Sequence, residues 1–157
     1  MQRHEITIQI DQHLKINIKA KWFREIILSI INLLYIKESI ELSLFITTDA
    51  IISQINQKYR NKKGTTDVIS FNMPIDENSN YKFILPPDNT LHLGEIVISY
   101  PQAAKQAEDQ ETKVEAELTS LIIHGMLHLM GYDHIKLADR KLMNLLEKKI
   151  SNYLRAL

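Results

Sequence analysis

His124-Gly125-Met126-Leu127-His128-Leu129-Met130-Gly131-Tyr132-Asp133-His134 is the stretch around which this chain is organised. Three of the six histidines stand here at i, i+4 and i+10, with a glycine at i+7. Two histidines four apart on a helix lie on one face, one turn above the other. A glycine can then stop the helix and turn the chain, so that a third histidine reaches the same point. His124, His128 and His134 therefore read as three neutral metal ligands with an open fourth position, the pattern of a catalytic site. From Leu118 to Met130 the helix is apolar on nearly every face. Such a helix runs through a core, so its histidines can face only an internal cleft.

Composition bounds what surrounds that helix. At 157 residues and 45% hydrophobic content, the chain is expected to form one domain with one core, spanning 1–157. With no cysteine, disulfides and thiolate metal sites are excluded. That absence also suits a reducing cytosol. Nineteen basic residues balance nineteen acidic ones, so any nucleic-acid binding must use a local patch rather than a global field. Met1 to Ile10 lacks the apolar core of a signal peptide. Trp22 to Ile36 is too short and too polar to span a bilayer. A soluble cytoplasmic protein without a membrane partner is the expectation.

Outward from the motif, alternation of polar and apolar residues predicts strands at Ile6–Ile10 and Ile40–Ile46. Leu14, Ile16 and Ile18 repeat the alternation, so a hairpin with the first strand is possible. Trp22, Ile26, Ile27, Ile30, Leu33 and Leu34 recur at helical spacing and predict a long helix covering a sheet. Thr48 or Asp49 can cap a second helix ending near Tyr59. Asp67–Phe71 reads as a short buried strand, 72–91 as an irregular loop or lid, and Gly94–Ser99 as the next strand. Pro101 opens a helix, and a final helix runs from Leu137 to about Leu154 with Leu142, Leu145, Leu146, Ile150, Tyr153 and Leu154 as its apolar positions. The sum is an α+β fold: a small mixed β-sheet of four or five strands packed with about five helices.

Histidine ligands suit Zn²⁺, with Ni²⁺ or another transition metal as the alternative. A metal so held can lower the pKa of bound water to about 7. Asp133 is either a carboxylate holding a ligand's N–H or an exposed turn residue. The histidine spacing equals that of metallopeptidases with the pattern H-E-x-x-H-x-x-G-x-x-H, whose Glu is the general base. Gly125 occupies that position here, which disfavours peptide hydrolysis and leaves phosphodiester chemistry. Arg60 and its neighbours Lys58, Lys62 and Lys63 form the densest basic run and are candidate phosphate contacts. Charge runs of this length are often solvated loops.

The motif resembles the signature of the YbeY-type endoribonucleases, bacterial metal-dependent RNases of ribosomal RNA maturation. Tyr59-Arg60, Thr66–Phe71 and Leu93–Ser99 are similar to the family's other blocks in the family's order, and Met143 and Glu147 fall where it tends to have such residues. The resemblance implies a fold distantly like metallopeptidases and a metal on His124, His128 and His134. It also implies action on single-stranded RNA, in 3′-end maturation of small-subunit ribosomal RNA and in ribosome quality control, with the ribosomal small subunit as partner. It places Arg60 on the RNA phosphate and makes Arg60 and His124 the catalytic candidates. Gly64-Thr65 and Asn72 depart from the family's usual Lys-Pro-like pair and proline. Two other readings are a non-catalytic ribosome assembly factor with a structural metal, and a peptidase drawing its base from elsewhere.

Overall fold

The alternating isoleucines and leucines of 40–46 build the central strand of a four-stranded sheet. The computed structural model describes residues 3–72, 89–132 and 136–155. The strands are β1 (Glu5–Ile10), β2 (Ser39–Thr47), β3 (Val68–Asn72) and β4 (Thr90–Ser99), ordered β1-β2-β4-β3. β1, β2 and β4 are mutually parallel, and β3 runs antiparallel along the free side of β4. The helices are α1 (Ala20–Leu33), α2 (Asp49–Arg60), α3 (Tyr100–Asp109), α4 (Val114–Leu129) and α5 (Leu137–Arg155). The expected α+β class and mixed sheet hold, with four strands and five helices among the described residues.

The period of two divides the sheet between two helical layers. Leu42, Leu44, Ile46, Ile96 and Ile98 join Phe23, Ile27 and Ile30 of α1 and Leu118, Ile122 and Met126 of α4 in the main core. Ile69 and Val97, register partners on β3 and β4, pack instead with Ile52 of α2. α4 therefore lies on one face of β3 and α2 on the other. Among the described residues no helix is long and apolar enough to cross a membrane.

Four local expectations need correction. The segment after β1 makes no hairpin. Asp11 N–H donates to the Ile46 carbonyl at 2.9 Å, and Asp11 then accepts from the backbone of Leu14 and the side chain of Thr47. Leu14, Ile16 and Ile18 lie half-buried on the core, because one-sided burial gives alternation even where no strand pairs. β3 is an edge strand in which Ile69 alone is fully buried. β4 begins at Thr90 rather than Gly94, because Gly94 marks a bulge inside the strand. Glu41 pairs with His92 and Leu42 with Gly94, which takes φ +128° to absorb the extra residue. The remainder of the expected loop, 73–88, lies outside the described residues. Finally, α5 buries Met143 and Ile150, while Leu142, Leu145 and Tyr153 are exposed.

Candidate functional site

α4 ends where the sequence requires it to. Gly131, at φ +98°, donates its N–H to the His128 carbonyl, and Tyr132 donates to that of Leu127, each at 3.0 Å. These two bonds close the helix end as a Schellman turn, which a residue with a Cβ would strain. The helix is buried along most of its length, with His124 and His128 only partly covered. Their ring centroids stand 4.6 Å apart at an interplanar angle of 67°. His134 and Asp133 lie outside the described residues, and among the described residues no group of three His, Cys, Asp or Glu is arranged to hold a metal ion.

The Nδ1 of His124 lies 3.1 Å from Oε1 of Glu147 on α5. A carboxylate accepts the Nδ1 proton and leaves Nε2 with the lone pair, the arrangement that orients a metal-binding imidazole. Two imidazoles on one helical face, one of them held by a carboxylate, fit a transition metal. Glu147 entered the sequence reading only by resemblance. Its placement on the buried stripe of α5, between Met143 and Ile150, is the signal that marks it as more than a solvated charge.

Both histidines line a cleft of about 250 Å³ whose other walls are Val68, Ile69 and Ser70 of β3 and Arg60 of α2. Arg60 is the last residue of α2, where a cation complements the helix dipole. Asn61 follows in the left-handed region at φ 51° and ends the helix. The buried Asn56 fixes the loop beyond: its carbonyl accepts from Lys62 N–H, and its Nδ2 donates to the Gly64 carbonyl at 3.2 Å. Lys58, Lys62 and Lys63 are exposed and outside the cleft lining. Arg60 thus stands with the histidines, and its three basic neighbours do not.

Gly125 has a packing reason. A Cβ there would come within 3.1 Å of the Ile96 side chain, itself fully buried on β4. The position that carries the peptidase Glu is pressed onto the sheet in this chain. Ser70, the register partner of Ile96, sits beside it, and its hydroxyl lies 3.5 Å from the Gly125 carbonyl.

The family model described as Endoribonuclease YbeY matches residues 5–155. The chain belongs to this family. Among the YbeY proteins, it is 37% identical over 153 residues to the endoribonuclease YbeY of Caldicellulosiruptor bescii, covering 96% of this chain and 92% of that protein. It is 39% identical over 146 residues to the namesake from Dehalococcoides mccartyi strain CBDB1, covering 90% and 88%. The solution structure of TM1509 from Thermotoga maritima shares the fold at a TM-score of 0.61 and 24% identity, over 93% of this chain and 86% of that one.

Proposed function

We propose that this chain is a metal-dependent endoribonuclease that cuts single-stranded RNA. The observation that carries the reading is that His124, His128 and Arg60 line one and the same cleft. Its family membership supports the reaction class, since the relatives named above are endoribonucleases. His124, His128 and His134 hold the metal, a Zn²⁺ ion or failing that Ni²⁺ or another transition metal. A metal held there by neutral imidazoles would supply uncompensated positive charge and lower the pKa of water.

The chain's own side chains do the rest. Arg60 grips the phosphate oxygens at the scissile position through two parallel N–H bonds and holds the strand against β3. Glu147 fixes the His124 tautomer. Asp133 belongs to the same histidine block, while Lys58, Lys62 and Lys63 meet phosphates farther along the strand as point charges. The biological substrate in this reading is the 3′ end of small-subunit ribosomal RNA in the cytoplasm, with the small subunit as partner and ribosome quality control as the wider role.

Purified protein is expected to cut single-stranded RNA, leave duplex RNA intact, and stop when a chelator is added. Binding to pre-ribosomal RNA without cleavage under any metal would instead favour an assembly factor.

A further inference from the structure

Tyr59 precedes the cleft-lining Arg60 in α2 and is 63% exposed, so it is not a core residue. Its ring is nevertheless held. Phe71 of β3 meets it edge-on, with centroids 5.5 Å apart and planes at 66°. The Lys58 ammonium lies 5.3 Å from the ring centroid. Phe71 is fixed in turn, since it packs on the Ile52, Ile69 and Val97 cluster. The ring therefore stands on the α2 side of β3, next in sequence to the cleft-lining Arg60 but outside the lining itself, while the histidines stand on the α4 side.

We propose that Tyr59 is a base-stacking platform, holding the nucleobase next to the phosphate that Arg60 grips. This rests on the reading of the cleft as an RNA site and adds how the strand is seated. An exposed, pre-oriented aromatic ring stacks any base, because every base has a π-face. A cation already at the ring adds attraction and can turn to a neighbouring phosphate. The pairing gives single-strand selectivity: a base must leave its duplex stack to reach the ring.

The test is equilibrium binding of a labelled oligoadenylate, and of an equally long oligomer of stable abasic residues, to full-length protein with chelator present. Wild type is expected to prefer the oligoadenylate by roughly 5- to 150-fold, the worth of one stacked base. Tyr59→Phe keeps that preference, and Tyr59→Leu removes it while binding of the abasic oligomer is unchanged. A preference undiminished in Tyr59→Leu, or wild type that does not distinguish the oligomers, overturns the proposal.

A second variant covers a misfolded Tyr59→Leu. Tyr59→Trp combined with Trp22→Phe leaves one tryptophan, whose fluorescence oligoadenylate quenches and the abasic oligomer does not. Equal response to both overturns the platform. Cleavage is read separately. A protein that prefers bases but never cuts RNA keeps the platform and loses the nuclease reading. One that cuts RNA without base preference does the reverse.

Discussion

Glu147 on α5 and His124 on α4 are joined at 3.1 Å, carboxylate oxygen to Nδ1, across the contact between the two helices. This contact ties the last helix to the histidine motif and sets which ring nitrogen faces the cleft. Glu147→Ala should therefore lower metal affinity about 10- to 100-fold, the usual cost of losing such a partner. Competition with a chromophoric chelator measures it. Unchanged affinity in a folded variant would leave the carboxylate without that role.

Arg60 and the histidines share the cleft, and the proposed function gives them different tasks. Arg60→Ala should leave metal content unchanged and weaken RNA binding by roughly 10- to 150-fold, the value of a charged hydrogen bond of about 1.5–3 kcal/mol. The slope of log affinity against log salt should fall by about 1. A loss of metal in this variant would contradict the division of labour.

The close approach of Gly125 to Ile96 is a packing claim, tested by unfolding. Gly125→Ala gains up to about 1 kcal/mol of helix propensity and loses about 1–3 kcal/mol to overpacking. It should be net destabilising in urea titrations. Ile96→Val removes a methyl group from the crowded side chain, so the double variant should cost clearly less than the two singles added. Strict additivity would mean that the two positions do not press on each other. Gly125→Glu should be severely destabilised and gain no peptidase activity.

Glu117, in the first turn of α4, has its carboxyl pushed above the ordinary glutamate value, first by burial and then by the nearby Asp67 carboxylate. In the unfolded chain it titrates near about 4.3. Between that value and the raised one, the folded state holds the extra proton, so its contribution falls as pH rises through the window. Glu117→Gln should thus raise the Tm at pH 7 relative to wild type, with the difference shrinking below about pH 4. An equal difference at both pH values would show that the carboxyl charge is not the cause.

The features readable in the sequence were those with strong periodicity or a special residue. The central strand follows from Ile40, Leu42, Leu44 and Ile46, and the helix stop from Gly131, because burial and positive φ act locally. Partnerships were harder to read. Alternation at Leu14–Ile18 reports a covered side but not a paired edge, and the bulge at Gly94 looks like a strand start until its neighbour's register is known. On α5 the expected stripe holds at Leu146, Ile150 and Leu154, while Leu142, Leu145 and Tyr153 are exposed and Met143 and Glu147 take the inward positions. Arg60, His124 and His128 line one cleft, yet nothing local in the sequence says that β3 supplies its wall. Ser70 and Glu147 could be placed at the site only once the elements were packed.

The most direct test is the rate of single-stranded RNA cleavage by wild type and by His128→Ala, purified identically and matched for folding by circular dichroism. Metal-dependent catalysis at this cleft predicts cleavage by wild type, its loss with chelator, and no activity above background in the variant. Equal cleavage by both proteins would contradict the assignment and point to a contaminating nuclease.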